Sequence, residues 1–190
     1  MSKIRIALFA SGTGSNAINL IRFFENHPTV EVGFVLSNKH DAPILESSKA
    51  LGVNSMYYDN NKVADGVFLT SLCKDNKIDW VILVGYLRLI PANLISAYSD
   101  KMINLHPSLL PNYGGKGMFG SHVHKAVIAN KEKESGITIH FVSPEFDKGR
   151  IIAQLHCALS PRDGVSELEQ KIRYLEQSYL PTVVQNTILA

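Results

Sequence analysis

The chain has 190 residues, of which 45% are hydrophobic and 19% charged, and its formal net charge is +2. This length fits one domain of about 100–200 residues, and the small net charge gives no support for binding to nucleic acid or to an anionic membrane surface. No apolar run approaches the ~18 residues that a membrane-spanning helix needs, and the first residues show no signal-peptide cleavage site. We therefore expect a cytoplasmic protein in which Cys73 and Cys157 are free thiols that bind no metal.

Strand-like and helix-like segments alternate along the first hundred residues. The predicted strands are 4–9, 30–36, 53–57 and 80–84, and the predicted helices are 15–24, 42–51, 63–76 and 92–98. Gly52 lies just past the end of the second helix, where glycine commonly ends a helix. Pro91 suits the first turn of the fourth helix. Such alternation predicts an α/β protein with an open, mostly parallel twisted sheet, Rossmann-like in its N-terminal half, and helices on both faces.

The pattern changes in the second half of the chain. A loop rich in glycine and proline over 110–120 leads into a predicted helix at 121–130, which Ser121 is able to cap. Two β runs, at 136–143 and 151–159, are joined by a short segment that predicts an antiparallel addition to the sheet. The last predicted helix spans 166–180 and is followed by Pro181 and an apolar tail that packs down on the protein.

A short apolar strand at 101–106 ends in an Asn and a His. Alternate residues of a strand point to the same side, so Asn104 and His106 face one way. Pro107 then stops the strand. An amide donor beside an imidazole at the carboxyl end of a strand suits chemistry at a carbonyl group. Polar residues that cap the following loop explain the same pattern equally well.

A glycine-rich loop follows the first strand and opens the first helix. Its candidate phosphate-binding residues are Gly12, Thr13, Gly14, Ser15 and Asn16. Exposed amides and the dipole of a helix start favour an anion. With Ala17 in the last position, the spacing also satisfies the loose dinucleotide fingerprint, but that fingerprint wants an acid after the second strand, where this chain has Asn38. A simple phosphate is therefore favoured over NAD, and over a purely structural turn.

The remaining polar candidates stay open when they are judged from the residues alone. Asp147 lies in the joint between the last two strands and is either a turn residue or a charge partner for His106. His122 and His124 stand two apart on a helix, share no face and indicate a solvated helix start rather than a metal site. His140 is a core residue or a site residue. No Gly-x-Ser-x-Gly motif is present, so a serine hydrolase has little support.

Four segments, spread over nearly the whole chain, match the motifs of a known protein family and occur in the order found in that family. They are 11–16, 85–89, 103–111, and 136–142 together with Asp147. In these segments the chain resembles the phosphoribosylglycinamide formyltransferase family. The third segment, Asn-Leu-His-Pro-Ser-Leu-Leu-Pro within 103–111, is the most specific of the four.

The resemblance implies formyl transfer from 10-formyltetrahydrofolate to the amine of glycinamide ribonucleotide, without a metal. It implies a single formyltransferase domain over 1–190, with a phosphate-binding half at 1–100 and a catalytic and folate-binding half at 101–190, active as a monomer or weak homodimer. Asn104 and His106 would stabilise the oxyanion, with Asp147 holding His106 as an oriented imidazolium. The implied binding residues are Arg173 and Glu176 beside the phosphate loop, and Leu87, Arg88, Leu89, Ile90, Val142, Phe146 and Asp147 for the folate.

The same resemblance leaves other activities open. A formyltetrahydrofolate deformylase, a sugar N-formyltransferase and a non-catalytic nucleotide-binding module would share this fold. Two departures from the family pattern also affect the expectation. Lys148 and Arg150 add positive charge beside the folate loop, where relatives often have Asp-x-Gly-Pro, and the segment 112–122 is longer and richer in glycine than in many relatives.

Overall fold

The computed structural model describes residues 2–190, in which seven strands and seven helices are found. The strands are β1 (Ile4–Phe9), β2 (Val30–Ser37), β3 (Ser55–Tyr57), β4 (Trp80–Leu83), β5 (Met102–His106), β6 (Glu134–Phe141) and β7 (Ile151–Ala158). The helices are α1 (Ser15–Phe24), α2 (Pro43–Ala50), α3 (Asn60–Ala64), α4 (Gly66–Asp75), α5 (Ala92–Ala97), α6 (Ser121–Ala129) and α7 (Val165–Leu189). The chain forms two compact units, the first ending at Ile103 and the second spanning Asn104–Ala190, so that β5 contributes to both.

The first unit is a parallel sheet with β1 at its centre. The strand order is β3-β2-β1-β4, continued by the start of β5, and β1 pairs in parallel with both β2 and β4. Ile6, Ala7, Leu8 and Phe9 of β1 are completely buried. A continuous apolar run, without alternation, is what a parallel strand covered on both faces requires. The predicted α/β class and mostly parallel sheet are therefore confirmed.

The second unit carries the antiparallel addition that the sequence predicts. Its strand order is the end of β5, then β6, then β7, and β6 pairs with β7 antiparallel, with Glu134 opposite Ala158. After its first residue, β6 is buried along its whole length, whereas β7 is half-exposed or exposed throughout. Helix α7 packs against β6, β7 and α6. No helix in residues 2–190 has an apolar stretch long enough to cross a membrane.

The single helix predicted over 63–76 is wrong, because the structure has two helices there. Asp59 caps α3 by accepting the N–H of Lys62. Asp65 interrupts the helical path and caps α4, and its carboxylate accepts the N–H groups of Val67 and Phe68 at 3.0 Å. A side-chain oxygen that satisfies the free N–H groups of a new helix favours a start at that point.

The predicted end of the last helix at residue 180 is also wrong. Helix α7 continues to Leu189 with Pro181 inside it. A proline removes one helical hydrogen bond and normally kinks or ends a helix. Here Leu180, Val184 and Ile188 stand four residues apart and are all buried, so the apolar tail is the continuation of the helix face.

Ser121 does not cap α6. The helix begins at Ser121 with Gly120 as its N-cap, and no side chain caps the helix. Gly120 has φ 53° and ψ −136°. This backbone conformation favours glycine, so the turn into α6 depends on Gly120 rather than on the serine hydroxyl.

Candidate active site

The structure brings Asn104, His106 and Asp147 together in the second unit. Asn104 and His106 lie two residues apart at the end of β5, on the same side of the strand as predicted. Asn104 Nδ2 is 3.4 Å from Asp147 Oδ1, and His106 Nδ1 is 3.5 Å from the same oxygen. The His106 and Asp147 side chains are only 5% and 11% exposed, so the pair interacts in a largely water-excluded setting where electrostatic effects are strong.

His140 is a further member of this cluster, and its place was left open by the sequence. Its Nε2 lies 3.0 Å from Asn104 Nδ2 and 3.7 Å from Asp147 Oδ1. Its Nδ1 lies 2.8 Å from the carbonyl oxygen of Phe141. Because a carbonyl only accepts, Nδ1 carries a proton, and in the neutral ring Nε2 then accepts from the Asn104 amide. His140 therefore fixes which way the Asn104 side chain points.

The tautomer of His106 is set by a backbone group. His106 Nε2 lies 2.8 Å from the carbonyl oxygen of Tyr113 and must donate to it. Burial lowers the pKa of His106 below its ordinary value of 6.5. Asp147 and the Tyr113 carbonyl raise this pKa, but by less than burial lowers it. The lowered pKa favours the neutral ring, in which Nδ1 carries the lone pair and lies 3.5 Å from Asp147 Oδ1. The lowered pKa runs against the expectation that Asp147 holds His106 as an imidazolium, while the 3.5 Å approach of the two side chains agrees with it, and the role of the pair stays a prediction.

Tyr113 is held in place by its own side chain. Its hydroxyl lies 2.5 Å from Glu132 Oε1 and accepts from Asn130 Nδ2 at 2.8 Å. The backbone of Tyr113 has φ 57°, a left-handed conformation that is uncommon for a non-glycine residue. The anchored ring therefore stabilises the turn that presents the Tyr113 carbonyl to His106.

Asp147 is ionised at neutral pH. Burial alone would raise its pKa, but contacts with His140 and His106 and the N–H of Gly115 together lower the pKa below its ordinary value of 3.8. Gly115 N–H donates to Asp147 Oδ2 at 2.8 Å, which leaves Oδ1 facing Asn104 and the two histidines. A carboxylate with this environment can stabilise a proton that arrives on His106.

The loop that follows β5 is fixed by a buried threonine and a glutamine. Thr138 Oγ1, completely buried in β6, donates to the Ser108 carbonyl at 2.6 Å and accepts the Leu110 N–H at 3.0 Å. Gln154 Nε2 donates to the Leu110 carbonyl at 2.9 Å. These bonds satisfy the backbone groups of the Pro-rich loop and hold it rigidly next to His106.

Gly149 is required by the close approach of two backbone segments. A Cβ at this position would stand 1.6 Å from the Phe141 carbonyl oxygen, the same oxygen that accepts from His140 Nδ1. We expect Gly149→Ala to lower the free energy of unfolding by about 1–3 kcal/mol and to reduce kcat, measured by urea denaturation and steady-state kinetics. Gly164→Ala is the control, since its Cβ would meet only the flexible carboxylate of Glu167. Equal effects of the two substitutions would contradict this account.

The lowered pKa of His106 predicts a pH dependence of stability. Below pH 6.5 the unfolded chain binds a proton at this residue, whereas the folded protein does so only at lower pH. Stability therefore falls as the pH drops through 6.5, by at most about 1.4 kcal/mol per pH unit for one histidine. The contribution of Asp147, whose pKa is also lowered, is retained until the pH approaches 3.8. Urea denaturation between pH 7.5 and 5 should show a shallower slope for His106→Gln than for the unmodified chain, and parallel slopes would refute the prediction.

His124 is buried, although the sequence indicated that it lies in a solvated helix start. It is 6% exposed, not solvated, and its Nδ1 has no partner within residues 2–190. Burial lowers the pKa of His124 below its ordinary value. His122, two residues earlier, is exposed as expected. Within the described chain, no group of three or more His, Cys, Asp or Glu side chains is placed to hold a metal.

The predicted phosphate loop lies in the first unit, between β1 and α1. Gly14 is the N-cap of α1, with φ 70° and no side-chain cap. The first N–H groups of a helix have no partner inside the helix, and they favour an anion when no side chain caps them. A Cβ on Gly14 would stand 2.5 Å from Ile44 atoms, so glycine is needed here both for φ and for space. Gly12, Thr13 and Ser15 are exposed.

The other predicted binding residues are distributed over both units. In the first unit Leu87, Arg88 and Leu89 are exposed and Ile90 is buried. In the second unit Phe146 is 41% exposed and Val142 is half-buried. Arg173 and Glu176 lie three residues apart on α7, a spacing that places side chains on one helix face. Their assigned roles stay predictions.

The family model described as formyl transferase matches residues 4–184, and the chain therefore belongs to the formyl transferase family. A chloroplastic phosphoribosylglycinamide formyltransferase of Arabidopsis thaliana is 34% identical over 186 residues, which cover 95% of this chain but only 64% of that relative. The phosphoribosylglycinamide formyltransferase of Bacillus subtilis (strain 168) is 31% identical over 97% of this chain and 94% of its own length. The crystal structure of the phosphoribosylglycinamide formyltransferase from Streptococcus pneumoniae TIGR4 superposes with a TM-score of 0.86 at 32% identity, covering 99% of each chain.

Proposed function

We propose that this protein transfers the formyl group of 10-formyltetrahydrofolate to the amine of glycinamide ribonucleotide, as a step of purine biosynthesis. The observation that carries the proposal is the placement of Asn104 and His106 within 3.5 Å of one carboxylate oxygen of Asp147. Membership of the formyl transferase family supports it, as do the names of the similar proteins from Bacillus subtilis and Streptococcus pneumoniae. Transfer of an acyl-type group from one nitrogen to another requires an oxyanion donor and a carrier for the proton. An amide, a neutral imidazole and a carboxylate can supply these functions.

Asn104 is the proposed oxyanion donor. The substrate amine attacks the formyl carbon, and the carbonyl oxygen takes up the negative charge of a tetrahedral intermediate. One N–H of the Asn104 amide is directed at His140 Nε2, and the other makes only a long 3.4 Å contact with Asp147. An amide nitrogen has two donors in fixed directions, so the second is available to the developing oxyanion while the first stays on His140.

His106 is the proposed carrier of the amine proton. Its Nδ1 is unprotonated in the neutral ring and accepts the proton that the attacking nitrogen must lose. Asp147, 3.5 Å away, stabilises the imidazolium formed at this point. The same proton is then delivered to the leaving nitrogen of the folate, so that tetrahydrofolate departs neutral at that atom and His106 returns to its starting state. General acid–base help of this kind contributes roughly 10²–10⁴ in rate.

The binding roles follow the segments predicted from the sequence. In this proposal the phosphate of the ribonucleotide binds the N–H groups at the start of α1, and the folate lies against exposed apolar side chains. The proposed phosphate ligands are Gly12, Thr13, Gly14, Ser15 and Asn16, with Arg173 and Glu176 from α7. The proposed folate contacts are Leu87, Arg88, Leu89, Ile90, Val142, Phe146 and Asp147.

The test is a two-substrate assay with one substrate omitted as the control. The protein is incubated with 10-formyltetrahydrofolate and glycinamide ribonucleotide, and release of tetrahydrofolate is followed together with formation of the formylated ribonucleotide. We expect turnover that depends on the amine. Formate release without the ribonucleotide would instead indicate a deformylase, and absence of turnover with both substrates would overturn the proposal.

A further inference from the structure

A chain of hydrogen bonds crosses the carboxyl ends of three neighbouring strands in the first unit. Leu87 N–H donates to Ser11 Oγ at 2.9 Å. Ser11 Oγ in turn donates to Asn38 Oδ1 at 2.6 Å, and Asn38 Nδ2 donates to Asn60 Oδ1 at 2.9 Å. None of these residues was predicted from the sequence to act together, since Ser11 and Leu87 lie 76 positions apart.

The strand order explains why Ser11 can bond both to the segment after β2 and to the segment after β4. Ser11 follows the central strand β1, Asn38 directly follows β2, and Leu87 follows β4, and β1 lies between the other two. Ser11 N–H also donates to the Gly85 carbonyl at 3.0 Å. Ser11 is therefore bonded through backbone and side chain to the segment after β4, and through its side chain to the segment after β2. Open α/β sheets bind their ligands at this edge.

The polar groups in this series of hydrogen bonds are buried and bonded to other protein groups. Ser11 is 1% exposed and Asn38 is 7% exposed. The single proton of the Ser11 hydroxyl is committed to Asn38, and one lone pair accepts from Leu87. Asn38 stands where a dinucleotide-binding protein carries the acid for ribose hydroxyls, but here both ends of its amide are bonded to protein groups. These are the properties of groups that position their neighbours rather than bind a ligand.

We propose that Ser11, supported by Asn38, is a positioning residue that holds the phosphate loop and the folate-side segment in register with one another. This inference rests on the proposed function, because the loop that starts at Gly12 and the segment that starts at Leu87 are the two binding segments proposed there. Ser11 sits immediately before the first and bonds the first residue of the second. A change at this one hydroxyl therefore acts on both substrates.

The first test is Ser11→Ala, which removes the acceptor of the Leu87 N–H and the donor to Asn38. Since loss of one hydrogen bond corresponds to a factor of about 3–10, we expect the KM of each substrate to rise by about 3- to 10-fold while kcat changes less than about twofold. A purely structural role would lower the melting temperature and leave both KM values unchanged when measured well below it. Asn61→Ala, an exposed neighbour of Asn60 on α3, is the control and should match the unmodified chain.

The second variant, Asn38→Asp, tests the link between Ser11 and Asn38 separately from the link between Ser11 and Leu87. It also keeps the inference testable if Ser11→Ala does not fold. The carboxylate oxygens that this substitution introduces still accept from Ser11, so the bond to Leu87 is retained, but the donor to Asn60 is lost and a negative charge is added next to the phosphate loop. We expect a raised KM for glycinamide ribonucleotide and an unchanged KM for the folate. Unchanged KM values for both substrates, in either folded variant, would overturn the inference while amine-dependent turnover of the unmodified chain still upheld the proposed function. Absence of that turnover would overturn both.

Discussion

Replacing Asp147 with Asn is expected to lower kcat by about 10²–10⁴-fold, which is the usual contribution of general acid–base catalysis. The substitution keeps the shape of the side chain and an oxygen for the Gly115 N–H. It removes the negative charge 3.5 Å from His106 Nδ1. Without that charge, burial disfavours the imidazolium that the proton transfer must form. Steady-state kinetics with both substrates should show the loss in kcat, with much smaller changes in KM.

Glu145→Gln is the matched control for this experiment. Glu145 is an exposed acid two residues earlier in the same segment, so its substitution removes the same formal charge without touching the cluster. We expect its kcat to stay within about twofold of the unmodified protein, as is usual for surface substitutions. If the two variants lost activity to the same extent, Asp147 would act through the general field of the loop and not through His106.

Replacing Asn104 with Ala is expected to lower kcat by about 10²–10³-fold, since this is the effect of removing one oxyanion donor. The amide is oriented by His140, whose Nε2 lies 3.0 Å from Asn104 Nδ2, so its direction is already set in the protein without substrate. Because the oxyanion exists only in the transition state and the intermediate, substrate binding should weaken far less than turnover. Single-turnover rates together with KM values measure this difference.

Asn112→Ala provides the comparison for Asn104→Ala. Asn112 is an exposed amide in the loop after β5, and its backbone carbonyl, which the substitution retains, accepts from the Ser108 hydroxyl. Removal of its side chain should leave kcat nearly unchanged. Asn104→Ala with a raised KM but a normal kcat would place Asn104 in substrate binding and refute its assignment to the oxyanion.

The parts of the fold that were predicted correctly are those with strong local signals. The buried run of β1 and the helix pattern after it define a parallel strand and its covering helix, and Gly52, with φ 76°, ends α2 as its position indicates. The two errors in helix boundaries arise where tertiary effects outweigh local rules. Asp65 starts a new helix because its carboxylate satisfies two N–H groups, and Pro181 stays within α7 because buried residues continue on the same face.

The candidate site was predicted in part for a comparable reason. The spacing of Asn104 and His106 on one strand determines that they share a side, and a strand end followed by proline marks where they are presented. The approach of Asp147 to His106 joins residues far apart in sequence and depends on the β6–β7 connection, which no spacing rule defines. His140 belongs to the cluster only because β6 lies next to β5. The lowered pKa of His106 follows from burial, which becomes visible only in the folded chain.

The hydrogen bond from His106 to the Tyr113 carbonyl has a consequence for how such a protein tolerates mutation. A backbone carbonyl is present whichever of the twenty amino acids occupies position 113, so no substitution deletes the acceptor itself. A comprehensive substitution library would register the importance of this turn through the side chains that anchor it, as sensitivity at Tyr113 and at the exposed positions Glu132 and Asn130, whose side chains contact the Tyr113 hydroxyl. The tautomer of His106 therefore depends on the geometry of this turn. Substitutions that change the turn can alter the tautomer while Asn104, His106, His140 and Asp147 all stay the same.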